Sequence, residues 1–294
     1  MSEEEVFELC MPEEDEEITM FSSEKDATLL AIIAPHVPYR MSPTRTLIAE
    51  LSTPEEFGIE TFVEKTKEIG CTDKLYLLLH SYGGDPNSAY TIAKVLRKNF
   101  KSITAFIPQM APSGATLIAI AANEIIMGEL SKLSPIDPLI STPQGRESSL
   151  ATVRGFDKLN KKFEKTYRDD IPYPYQHLIE SVDLTMYEER VGYLHMVREY
   201  AYELLKRAGY NESQSERISK SLVFDYPVHY YIIDFDKARK LGLKVKWYEE
   251  VKDEWKIMRK WLGKYILQES GIHHIVYAFP SKEEVINDEK TQKE

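Results

Sequence analysis

The order of apolar segments along this chain predicts an α/β protein built on a largely parallel sheet. Two observations carry that prediction. Short apolar runs, among them Ala27–Ala34, Leu75–Leu79 and Ile103–Ile107, alternate with stretches whose apolar residues recur at helical spacing. Glycine-marked turns follow two of these runs, in Ser81-Tyr82-Gly83-Gly84 and in Pro112-Ser113-Gly114-Ala115. Strands that alternate with helices favour parallel pairing through right-handed crossovers.

Taken in order, Ala27–Ala34 reads as a buried strand stopped by Pro35 and Pro38, and Arg45–Leu51 as a second strand. Pro54–Ile69 has helical spacing through Phe57, Phe62, Val63 and Ile69, with Gly70 as its stop. Leu75–Leu79 is a strand, and Asp85 with Pro86 gives a cap and first position for a helix through Ala89, Ile92, Ala93 and Leu96. Ile103–Ile107 is the next strand, Ser113–Ala122 the next helix and Glu124–Met127 a short strand after it. Residues 154–210 read as all-helical, notably Glu188–Ala208 with Val191, Leu194, Val197, Ala201 and Leu204. Tyr230–Ile233 is expected as a strand, Phe235–Leu241 as a short helix ended by Gly242, and Val251–Tyr265 as a further helix.

With 294 residues and 43% hydrophobic content the chain can bury a sizeable core. A net charge of −11 argues against a nucleic-acid surface, because phosphates would be repelled. Two cysteines, Cys10 and Cys71, are too few for a disulfide framework. No apolar run approaches the ~20 residues that span a bilayer. Met1–Glu17 carries nine acidic residues and no basic one, unlike a signal peptide. A cytoplasmic protein is expected, with residues 1–26 an acidic disordered tail and 280–294 a second one. Removing Met1–Glu17 is then expected to leave the melting temperature nearly unchanged.

The two glycine turns carry the chemistry. A Gly-Gly turn can present backbone N–H groups to a developing oxyanion. A serine at the mouth of a helix is placed to act as a nucleophile, although capping the helix is the plain role for such a serine. Four patches occur in a telling order: Leu77–Gly84, Pro112–Ile126, Leu133–Ile140 and Phe224–Leu243. Over residues 27–245 the chain resembles the Clp protease/crotonase superfamily, and within it the serine dehydrogenase proteinase family, relatives of signal peptide peptidase A.

That resemblance implies a fold of Clp/crotonase-like stacked ββα units with a helical C-terminal portion, residues 246–279 being a helical extension. It implies a serine peptidase forming an acyl-enzyme on Ser113, with Gly83, Gly84 and Gly114 at the oxyanion hole, no cofactor, no metal, a peptide or protein substrate and a homo-oligomeric state. The family's His-Asp-Tyr-Pro is replaced here by Phe224-Asp225-Tyr226-Pro227. His229 is the nearest substitute base, and Asp137 the carboxylate that would hold its tautomer. Lys158 is the candidate base of a competing Ser–Lys mechanism, which needs a desolvated lysine. Two other readings share these residues: an acyl-thioester enzyme of the crotonase kind, and a catalytically inactive oligomeric adaptor, which Phe224 favours.

Overall fold

A computed structural model describes residues 11–36, 39–42, 45–70, 73–143, 145–180 and 183–281. Cys10, Cys71 and residues 282–294 of the expected C-terminal tail lie outside them.

Seven strands form the central sheet. They are β1 (Glu13–Glu14), β2 (Thr28–Ile33), β3 (Lys74–His80), β4 (Ser102–Ile107), β5 (Glu124–Met127), β6 (Val245–Trp247) and β7 (His274–Ala278). Their spatial order is β1-β7-β2-β3-β4-β5-β6. Every adjacent pair is parallel except β7 with β2, which is antiparallel. The register sets Leu77 opposite both Leu30 and Ala105, so the tips of β3 and β4 end level.

Helices α1 (Thr19–Lys25), α2 (Thr53–Ile69), α3 (Pro86–Asn99), α4 (Gly114–Ala119), α5 (Ser149–Phe163), α6 (Tyr173–Glu180), α7 (Leu184–Arg207), α8 (Glu212–Phe224), α9 (Phe235–Leu241) and α10 (Lys252–Tyr265) complete the framework. Their ends follow local chemistry. Asp85 accepts from the Ser88 amide at 3.2 Å and Pro86 opens α3, while Gly70 closes α2 in the left-handed region at φ 64°. The expected strand at Tyr230–Ile233 is reduced to one bridge, between Ile233 and Leu133. The expected strand at Arg45–Leu51 is shorter, Arg45–Leu47, and pairs with Tyr39–Ser42 outside the main sheet.

All of β2 is buried, so the sheet needs cover on both faces. Alternate residues of each strand point to opposite sides. Leu30, Ile32, Leu77 and Ala105 pack with Ile59, Phe62, Ile92 and Leu117 from α2, α3 and α4. Leu29, Ala31, Ile33, Leu78 and Phe106 pack instead with Phe21 of α1 and with Trp255, Met258, Trp261 and Leu262 of α10.

This second layer corrects two expectations. Residues 11–26 are not a disordered tail, since they hold β1, a short 3-10 helix and α1. Residues 246–279 are not only a helical extension, because β7 inserts between β1 and β2. Asp15 anchors the N-terminal part. It is 5% exposed and accepts from Trp261 Nε1, Lys264 Nζ and Tyr265 Oη, each at 3.0 Å. Burial alone would raise its carboxyl, but hydrogen bonds from Lys264, Tyr265 and Trp261 outweigh burial and hold it below the usual carboxylate range.

Asp15→Ala would leave the buried Trp261 and Tyr265 donors without an acceptor, at roughly 1–3 kcal/mol each. A stability loss of about 2–4 kcal/mol is expected in urea unfolding at neutral pH. A loss under about 0.5 kcal/mol, typical of a neutral surface substitution, would show that this anchor contributes nothing. The truncation of Met1–Glu17 is, for the same reason, expected to lower the melting temperature.

Candidate active site

The two glycine turns leave the sheet at the carboxyl ends of adjacent parallel strands, where open α/β sheets leave a crevice. The turn after β3 leads into α3 and the segment after β4 leads into α4, so their tips touch. A Cβ placed on Gly83 would lie 3.0 Å from the Ser113 Cβ and 2.9 Å from the Pro112 carbonyl. Ser113 has φ 54° and ψ −122°, a conformation rare for a side chain with a Cβ. Neighbours hold it there: its amide donates to Ser134 Oγ at 2.8 Å, the Ser134 amide donates to Thr116 Oγ1 at 3.1 Å, and Thr116 Oγ1 donates to the Ala111 carbonyl at 2.6 Å. Although Ser113 occupies the N-cap position, its side chain makes no cap hydrogen bond. The plain capping role is therefore not what the hydroxyl does.

Ser113 lines a cavity of about 560 Å³ with Gly84, Gly114, Ile136, Val197 and His229. His229 Nδ1 lies 3.1 Å from Asp137 Oδ1, and the other carboxylate oxygen accepts from Ser148 Oγ at 2.6 Å. Asp137 is 1% and His229 6% exposed. A carboxylate can only accept, so Nδ1 carries a proton, and in the neutral ring Nε2 keeps its lone pair. The loop bearing Asp137 is pinned by the Ile136 amide on the Leu222 carbonyl at 3.1 Å and the Ser149 amide on the Pro138 carbonyl at 2.9 Å. Arg154 steadies the approach to His229 by donating to the carbonyls of Phe224 and Tyr226.

The glycine amides divide differently from the expectation. The Gly83 N–H donates to Ser81 Oγ at 3.0 Å, so it is not available to a ligand. The Gly83 carbonyl accepts from the Leu51 amide at 2.8 Å. In a trans peptide the following N–H points the opposite way, so the Gly84 amide is turned away from Leu51. Gly114 opens α4, where a first-turn amide has no partner inside the helix. A Cβ built on Gly114 would lie 3.4 Å from the Gly84 nitrogen, so the two amides are close neighbours.

The structure does not bring Lys158 to this site. It is exposed on α5 and is not part of the cavity wall, so the desolvation that a neutral lysine requires is missing. Phe224, at the position of the family's histidine, is also outside the wall. His80 is fully buried and outside it too; burial first, then His36 and His273, push its imidazole down to about 3, which keeps the ring neutral. Ser134, Ser148 and Arg154 were not foreseen as site residues. Only Ser134 carried a signal, lying within the Leu133–Ile140 patch. Among the described residues no group of three or more His, Cys, Asp or Glu could hold a metal ion. A serine, a carboxylate-held imidazole and two neighbouring amides in one cavity suit acyl transfer.

The model of the ClpP-like SDH-type serine proteinases matches residues 65–290. Relatives include two uncharacterized proteins of Methanocaldococcus jannaschii. One is 28% identical over 218 residues, covering 70% of this chain and 69% of the relative. The other is 27% identical over 169 residues, covering 58% of this chain and 51% of the relative. Solved structures that resemble it include the 1510-N membrane-bound stomatin-specific protease. Its lysine-to-alanine mutant with a substrate peptide aligns at a TM-score of 0.43 and 12% identity, covering 67% of this chain and 71% of that one. Its serine-to-alanine mutant aligns at 0.46 and 10%, covering 80% and 94%. No helix among the described residues is long and apolar enough to cross a membrane. Because the family model spans most of the sequence, from within α2 to beyond β7, this chain belongs to the ClpP-like SDH-type serine proteinase family.

Proposed function

We propose that this chain hydrolyses peptide bonds through an acyl-enzyme on Ser113. The observation that supports this most is the rare positive φ of Ser113 in a cavity also lined by His229, whose ring is held by Asp137. On this reading His229 Nε2 takes the Ser113 proton as Oγ attacks the substrate carbonyl. The negative charge that develops on the carbonyl oxygen is met by the amides of Gly84 and Gly114. His229 then gives its proton to the departing amine, and water repeats the sequence in reverse to release the acyl group. Asp137 stays ionised and favours the imidazolium while it exists. Aliphatic side chains of Leu117, Ile136 and Val197 form an apolar part of the wall, where one substrate side chain can dock.

A serine-directed fluorophosphonate tests the proposal. The unmodified chain is expected to be labelled once, and Ser113→Ala to lose that label while unfolding at an unchanged urea midpoint. Little stability is at stake because the hydroxyl forms no cap hydrogen bond. Labelling of Ser113→Ala at the original rate would place the nucleophile elsewhere. An unmodified chain that takes no label would favour the inactive adaptor instead.

A further inference from the structure

A second run of buried polar groups lies behind the glycine turn and never touches the cavity. Glu55 of α2, His273 before β7 and Ser81 after β3 are 1%, 0% and 0% exposed. His273 Nδ1 is 3.1 Å from Glu55 Oε1, and His273 Nε2 is 2.8 Å from Ser81 Oγ. Ser81 Oγ in turn accepts the Gly83 amide at 3.0 Å. The other oxygen of Glu55 accepts both the amide and the hydroxyl of Ser52, at 2.9 and 2.8 Å.

Donor accounting gives this chain one direction. The carboxylate only accepts, so the His273 proton sits on Nδ1 and Nε2 must accept. Ser81 then donates its hydroxyl proton to Nε2 and keeps a lone pair for the Gly83 amide. Every polar atom of the run is satisfied in that arrangement, and it needs no water. Reversing it would leave the Ser81 hydroxyl proton without an acceptor.

The carboxylate thereby holds both sides of one residue, Gly83. Through His273 and Ser81 it fixes the Gly83 amide. Through Ser52 it fixes the segment whose preceding residue, Leu51, donates to the Gly83 carbonyl at 2.8 Å. Anchored at both ends, the Gly83 residue cannot rotate, and the Gly84 N–H keeps its direction away from Leu51. Burying a carboxylate and an imidazole is costly compared with packing apolar groups of the same size, so stability alone does not account for the pair.

We propose that Glu55, His273 and Ser81 form a positioning clamp that presets the Gly84 amide for the transition-state oxyanion. The clamp rests on the acyl-enzyme reading of Ser113, but it makes its own demands. These residues touch no substrate, so they act on the rate of acylation and not on ground-state binding.

The test uses the full-length chain, fluorophosphonate inactivation kinetics and amide hydrogen exchange. Ser81→Ala is expected to lower the maximal inactivation rate about 10–100-fold with an unchanged apparent inhibitor affinity, somewhat less than the ~10²–10³ typical of deleting an oxyanion donor outright. Ser81→Thr, which keeps the hydroxyl, should restore most of that rate. Glu55→Gln should show the same split between rate and affinity. In both Ser81→Ala and Glu55→Gln the Gly83 amide should exchange at least tenfold faster. An unlabelled starting chain would sink the acyl-enzyme reading. A labelled chain whose rate is indifferent to Ser81→Ala would sink the clamp alone. Gly83 exchange unchanged in both variants would overturn the clamp whether or not the chain is labelled.

Discussion

His229→Ala is expected to slow acylation of Ser113 by about 10²–10⁴-fold, the usual worth of a positioned general base. Asp137→Asn should impair the same step, because an amide in place of the carboxylate no longer selects the tautomer with the proton on Nδ1. Lys158→Met should change little, since Lys158 is exposed on α5 and apart from the cavity. Fluorophosphonate inactivation rates of the three variants across neutral pH separate the possibilities. A dead Lys158→Met beside a normal His229→Ala would defeat the serine–histidine mechanism. Folding is a secondary concern here: His229 lies in a loop after α8, and its ring bonds only to Asp137 among the described residues.

Gly84→Ala should be the most damaging change to stability. The added Cβ would lie 2.2 Å from the Leu51 nitrogen and 2.3 Å from the Leu51 oxygen, and φ is +153°. Those neighbours are backbone, so no side chain can swing aside. Relief requires separating the two segments and breaking the bonds from Leu51 N to Gly83 O and from Asp85 N to Leu51 O, both 2.8 Å. A loss on the order of 3–5 kcal/mol, typical of severe core or backbone disruption, is expected in urea unfolding, with acylation lost as well. Gly155→Ala is the control. Nothing lies within 4 Å of a Cβ there, and an exposed helical glycine replaced by alanine should gain roughly 0.5–1 kcal/mol. Equal stability for Gly84→Ala and the unmodified chain would mean the glycine turn is not packed against Leu51 in solution.

Elements built on nearest neighbours were readable in advance. Glu124–Met127 and Phe235–Leu241 fall where apolar spacing and the Gly242 stop put them. The α3 helix begins where Asp85 and Pro86 require it. Ser113 and the two glycine turns also announced themselves locally, as short motifs directly after strands. His229 and Asp137 could be named as a pair only through the family pattern, because nothing local in either segment points to the other.

What the amino-acid order determined by itself was therefore the alternation of strands and helices, the caps and stops, and the glycine turns beside a serine. Those are properties of a few adjacent residues, whose dihedral preferences and apolar periodicity act within one turn or one strand. The tertiary structure alone decided the rest. It drew β1, α1 and β7 from segments that read as tail and extension, because a sheet buried on both faces leaves no stable alternative to covering the second one. It also showed that Gly83 donates to Ser81 and Lys158 lies apart, and it joined Glu55 to His273 across 218 residues of sequence. Hydrogen-bond partners of buried groups are selected by which segments the packed layers bring within about 3 Å, and that distance is set by the whole core.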